Sequence, residues 1–110
     1  MREISRKAAH SFAIDQEYHE EDTTVSTVYG VGGLVLETRL YLRGQMIAYK
    51  TAQGTWIQPK GRIDQKLVDR LNALLSVKEG YVFLRDESIY YADPRQSVAI
   101  DIKNIIVEVA

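Results

Sequence analysis

Thr38-Arg-Leu-Tyr-Leu-Arg-Gly-Gln-Met-Ile-Ala-Tyr-Lys50 runs on through Gly54-Thr-Trp-Ile-Gln-Pro-Lys-Gly-Arg62 to Asp64-Gln-Lys-Leu-Val-Asp-Arg-Leu-Asn-Ala-Leu-Leu75. This stretch reads as strand, turn, strand, turn, strand, basic loop and helix. Leu40 and Leu42 alternate with Arg39, Tyr41 and Arg43, the period of a strand with one buried face. Arg43-Gly-Gln is a tight turn, Met46 to Thr51 is the returning strand, and Ala52-Gln-Gly turns again into Thr55–Gln58. Pro59 ends that strand because it brings no backbone N–H to the ladder. Asp64 is a candidate N-cap, its carboxylate placed to accept orphan amide protons. Leu67, Val68, Leu71, Leu74 and Leu75 fall on one face of the helix that follows, with Gln65, Lys66, Asp69 and Arg70 outward or at its flanks.

Working outward, Glu3 to Ala13 has Ile4, Ala8 and Phe12 at every fourth place, an amphipathic helix. Asp15 to Asp22 is acidic and carries His19. It is expected to be a solvated connection, with a divalent metal site as the alternative, although its spacing fits no EF-hand or zinc pattern. Thr23–Val28 has strand composition, and Tyr29-Gly-Val-Gly-Gly is turn material leading to a further strand through Leu42. A phosphate-binding glycine loop needs a helix there, so a hairpin is expected. Beyond the main helix, Tyr81–Arg85 and Ile89–Ala92 form a strand pair, and Ser97–Ile102 alternates again. Ile105–Val109 is apolar and β-branched, a strand after a kink at Lys103-Asn104, or else residues 102–107 form a short helix. Runs of strands without βαβ alternation give an α+β fold: one domain over residues 1–110, an antiparallel meander with an N-terminal helix and a main helix at about 64–76 packed on it.

At 110 residues the chain is long enough for one core, and its hydrophobic share of 45% is an ordinary globular value. A net charge of -1 opposes broad non-specific nucleic-acid binding, which needs a positive excess. The absence of cysteine excludes disulfides, thiolate metal sites and thiol nucleophiles. No apolar run approaches the ~18 residues of a membrane span. The first residues carry no secretory h-region, so a cytoplasmic protein without membrane contact is expected.

No nucleophile elbow, Walker loop or metal-binding helix motif occurs, so the reading is non-enzymatic, with no cofactor and no catalytic residue assigned. The candidate site is a basic–aromatic face: Arg39, Arg43, Tyr49, Trp56, Lys60, Arg62, Lys66 and Arg70. Guanidinium groups pair with phosphate, aromatic rings stack on bases, and a helix N-terminus adds amide donors. Such a face suits a small phosphorylated or nucleotide ligand, with nucleic acid as the alternative. Trp56 has a second reading, as a core anchor beneath the helix. The exposed edges of a small sheet need cover, and the tail Ile105–Val109 is suited to pair with a second copy, so a homo-oligomer, most simply a dimer, is expected, the alternative being that the tail closes its own sheet.

Arg6-Lys-Ala-Ala-His-Ser-Phe12, Asp22-Thr-Thr-Val25, Leu40-Tyr-Leu-Arg-Gly-Gln-Met-Ile-Ala-Tyr49, Gly61 and Arg70-Leu-Asn-Ala-Leu74 come in an order that resembles short bacteriophage proteins of unknown function. Those carry R-K-A-x-x-A-F, N-T-x-V, L-x-L-H-G-N-x-I-A, G-W-x-T-x-T-T and R-L-N-A-L patterns. Here Asp22 stands for the asparagine, Arg43 for the histidine and Gln45 for the asparagine after the glycine. Arg62 stands for the tryptophan, and Lys66-Leu67 for the threonine pair. The resemblance covers roughly residues 6 to 75. It implies a phage origin and little of the chemistry; phage proteins of this size often act on host processes or defence, so an accessory protein that binds a host factor or a small phosphorylated ligand and interferes with host defence or metabolism is expected.

Overall fold

A computed structural model describes residues 2–109. The fold is α+β, mostly sheet. In chain order the elements are α1 (Glu3–Ala13), β1 (Tyr18–Glu20), β2 (Thr23–Tyr29), β3 (Val35–Leu42), β4 (Gln45–Thr51), β5 (Gly54–Ile57), α2 (Gln65–Leu75), β6 (Tyr81–Arg85), β7 (Ser88–Ala92), β8 (Ile100–Asp101) and β9 (Val107–Val109). A six-stranded antiparallel sheet runs β1-β2-β3-β4-β5-β9, and a second sheet runs β6-β7-β8.

The meander forms because its residues alternate. Thr38, Leu40 and Leu42 are buried while Arg39 and Tyr41 between them are half-exposed. The turn between β3 and β4 places Arg43 at φ 53° and Gly44 at φ 79°, the left-handed pair that matches hairpin twist. A bulge after Leu40 turns both Ile47 and Ala48 into the core. α1 lies along β1–β3 and against α2, and α2 in turn lies against β6. Asn72 of α2 pairs with both backbone groups of Val82, at 2.8 Å and 2.9 Å, fixing the second sheet to the helix. One apolar core therefore joins both sheets through α2. Leu40, Ile47, Ile57, Leu67, Leu71, Leu75, Val82 and Ile89 belong to it.

Four expectations change. The acidic stretch is not a plain connection: β1 pairs with β2 at Tyr18↔Val25 through Glu20↔Thr23. The run Ser97–Ile102 shortens to a two-residue strand, with Val98 exposed. The tail is a strand over its last three described residues, with Ile105 and Ile106 exposed ahead of it. That strand pairs with β5 at Thr55↔Val109, Trp56↔Glu108 and Ile57↔Val107, so the tail closes its own sheet.

Candidate functional site

The side of the large sheet turned away from the helices carries a row in register across five strands: Ser26, Arg39, Tyr49, Trp56 and Glu108. Tyr49 and Trp56 stack with ring centroids 5.3 Å apart and planes 15° from parallel, close to the offset geometry aromatic pairs prefer. Trp56 therefore belongs to the outer face, half-buried, and not to the core beneath a helix. Its ring leans over Gly54. A Cβ at Gly54 would touch Trp56 at an ordinary 3.4 Å but meet the Glu108 carboxylate at 2.7 Å, so a larger residue would push that carboxylate aside.

The predicted basic residues divide. Arg39 stands beside Tyr49, and its guanidinium is hydrogen-bonded to Glu37. The Glu37 carboxylate and then the Tyr41 hydroxyl raise its pKa still further above the ordinary arginine value. Arg43 turns toward the start of α2, donating to the Arg62 carbonyl at 3.3 Å and to Asp64 Oδ1 at 3.1 Å. Asp64 is the N-cap the sequence indicates, accepting the Leu67 amide at 3.0 Å. Burial alone would raise the Asp64 carboxyl, but the Leu67 amide and Arg43 outweigh it and hold it below its usual value. Arg62 is exposed, its side chain 73% accessible and 3.9 Å from Asp64. Lys66 is tied to Asp22 at 2.7 Å. Lys60 is exposed and enters no ion pair among the described residues.

Arg70 sits on a flank of α2, but its side chain is wholly buried, which corrects its expected place on the ligand-binding face. The flank of α2 that carries it is covered by α1 and β2. The guanidinium donates to Ser5 Oγ at 2.7 Å and Thr23 Oγ1 at 2.8 Å. Asp22 lies 3.6 Å and Asp69 3.7 Å away, and Asp69 also accepts from Ser5. A residue so enclosed braces three elements and has no access to a ligand. Hydrogen bonds and ion pairs thus join five of the six basic residues to carboxylates, Lys60 excepted, and none of the described contacts joins the Lys60–Arg70 group to the Tyr49–Trp56 stack.

The acidic stretch does not gather its side chains. Tyr18 donates to Glu20 at 2.7 Å, and burial together with that carboxylate pushes the phenol up to about 12. His19 Nδ1 lies 2.7 Å from Thr24 Oγ1. Asp15 takes the Thr38 hydroxyl at 2.7 Å and Lys50 at 3.1 Å. Among the described residues no three His, Asp or Glu side chains converge as a metal ligand set.

A well-formed concavity lies elsewhere, between the C-terminal ends of α1 and α2 and the inner side of the sheet, about 410 Å³ in volume. None of the eight predicted residues lines it. Arg6 and His10, four apart on α1, lie on one helix face and border it. That spacing is the one local signal in the sequence pointing there.

No protein-family model matches the chain, and no curated protein or solved structure matches it. Among the described residues no helix is long and apolar enough to cross a membrane.

Proposed function

We propose that the protein works by recognition and not by catalysis, docking a protein of the bacterial host cell through the outer side of its large sheet. The observation that carries this reading is the Tyr49–Trp56 stack standing next to Arg39 on that side. Tryptophan, tyrosine and arginine dominate the energetic centres of protein interfaces, because each presents a large, stiff contact surface with a polar edge. The pairing of Arg39 with Glu37 favours a protein over a phosphorylated ligand. A phosphate would have to compete with that carboxylate, whereas a protein surface can use the pair as it stands. The resemblance to short phage proteins makes the host cell the source of the partner and its cytoplasm the place of action.

The test is capture from host lysate by tagged wild-type protein and by Trp56→Ala and Tyr49→Ala. A host protein held by the wild type and lost from both variants, which remain folded by circular dichroism, is the expected result. Equal capture by all three would overturn the reading. Binding of a labelled oligonucleotide that weakens steeply with salt would replace it with the nucleic-acid alternative.

A further inference from the structure

Three kinds of wall enclose the cleft at the C-terminal ends of the helices. α1 supplies Ala9, Phe12 and Ala13; the end of α2 supplies Ala73 and Leu74; the inner side of the sheet closes the back with Lys50 and Thr55. Phe12, Ala73 and Leu74 are themselves buried, so the floor is apolar and firmly seated. Alanine at positions 9, 13 and 73, where larger side chains would reach across, is what leaves the space open. Its volume of about 410 Å³ falls within the range of small-molecule sites.

The charged residues that line this cleft are Arg6, Lys50 and Lys78, with no aspartate or glutamate among the lining residues. Lys50 is already committed. It donates to the Ala13 carbonyl at 2.8 Å, lies 3.1 Å from Asp15 and sits 5.7 Å from the Phe12 ring centre. In that place it offsets the negative end of the α1 dipole. Ser76 likewise donates to the Ala73 carbonyl at the end of α2, at 2.8 Å. Arg6 and Lys78 stand differently: neither side chain enters a hydrogen bond or ion pair among the described residues.

We propose that this cleft binds a small amphipathic anion, a carboxylate or phosphate ester with an apolar body. The apolar body rests on Phe12 and Leu74, and the anionic head meets Arg6 and Lys78 at the rim. Neither half of the cleft accounts for the other: a neutral hydrocarbon leaves the two cations unused, and inorganic phosphate leaves the floor unfilled. The site is separate from the Tyr49–Trp56 face.

Isothermal titration calorimetry with decanoate and dodecyl phosphate, below their micelle concentrations, tests this. One saturable site is expected for each. The double variant Arg6→Glu/Lys78→Glu should weaken both by about tenfold or more, since charge-assisted bonds are lost and repulsion is added. Ala13→Trp, at an exposed position, should abolish binding by filling the cleft. Trp56→Ala should bind as the wild type does. The proposal is overturned by any of four results: no saturable binding, binding undiminished in both cleft variants, 1-decanol binding as tightly as decanoate, or inorganic phosphate binding as tightly as dodecyl phosphate.

Discussion

The cations near the N-terminus of α2 and those near its C-terminus are the same residue types in different company. Arg43 and Arg62 face Asp64, Lys66 faces Asp22, and Arg70 lies between Asp22 and Asp69, while Lys60 alone of that group stands in solvent without an ion pair among the described residues and lines no cleft with an apolar floor. On the outer sheet side Arg39 is matched by Glu37. At the other end of the helix Arg6 and Lys78 border a cleft with no carboxylate in its lining. The difference teaches that counting basic residues along a chain does not locate an anion site. What matters is which cations remain after the fold has used the others to close turns, cap helices and brace packed elements.

The comparison breaks most visibly at Arg70. Its side chain is wholly buried and bonded to Ser5 and Thr23. Arg70→Ala leaves these hydroxyls and two carboxylates facing a void, and should cost about 3 kcal/mol, the usual scale for removing one partner from a buried ion pair. Urea unfolding measures it. A loss below ~1 kcal/mol would mean that water or Lys66 replaces the guanidinium, and that Arg70 does not brace α1, α2 and β2.

Acid tests the same pairs together. Asp22 is pulled two ways: burial would raise its carboxyl, but the bond from Lys66, the Thr23 hydroxyl and the nearby Arg70 hold it below the ordinary value. Asp15 is lowered, chiefly by the Thr38 hydroxyl, with Lys50 helping to outweigh the opposing effect of burial, and Asp64 is lowered as well. A carboxylate with a depressed folded-state pKa adds stability that is fully present above the unfolded value, about 3.9 for aspartate. That contribution is lost as pH falls through the folded value. Stability should therefore stay level from about pH 5 upward with respect to these groups and decline below about pH 4. Asp22→Asn should lower stability near neutrality and flatten the acid decline. An acid decline as steep in Asp22→Asn as in the wild type would remove Asp22 from the account.

How much of this the sequence exposes depends on distance along the chain. The spacing of Leu67, Leu71 and Leu75 and the Asp64 cap are local signals, and α2 forms where they place it. The meander from Val35 to Ile57 is legible for the same reason: each strand pairs with its sequence neighbour. β1 is missed because Tyr18-His-Glu lacks strand composition and is held by its register with β2. The burial of Arg70 is missed because a helical wheel shows the apolar face of α2 but not that α1 covers its flank. The site fares worse. Lys66 finds Asp22 across 44 residues and Arg43 finds Asp64 across 21, so which cations are spent is a tertiary fact. The cleft is further still from local reading, since it joins parts of 6–13 and 73–78 with residues 50 and 55.

Asp64 offers a smaller effect on the paired side. Asp64→Ala removes the acceptor of the Leu67 amide and the partner of Arg43 in one step. Loss of a helix N-cap costs about 1 kcal/mol, and the freed Arg43 adds little because it is partly exposed. Asp64→Ser should restore most of the loss, because a hydroxyl caps nearly as well. If serine restores nothing, the Arg43 pair and not the cap holds the start of α2, and the loop containing Lys60 and Arg62 would then depend on that pair.

The smallest effect is the most discriminating. Arg6→Ala/Lys78→Ala should change stability by less than about 0.5 kcal/mol, as surface changes without partners do. Paired cations resist removal because their carboxylates are left facing nothing; these two have no such partner to strand. A loss above ~1 kcal/mol would show that both are structural after all, and the contrast between the two ends of α2 would vanish. A small gain in stability would strengthen it. Arg6 and Lys78, together with the committed Lys50, line one cleft without a lining carboxylate, and like charges held near one another repel unless an anion lies between them. Added dodecyl phosphate should then raise the unfolding midpoint of the wild type and leave that of the double alanine variant nearly unmoved, which measures the unspent charge directly.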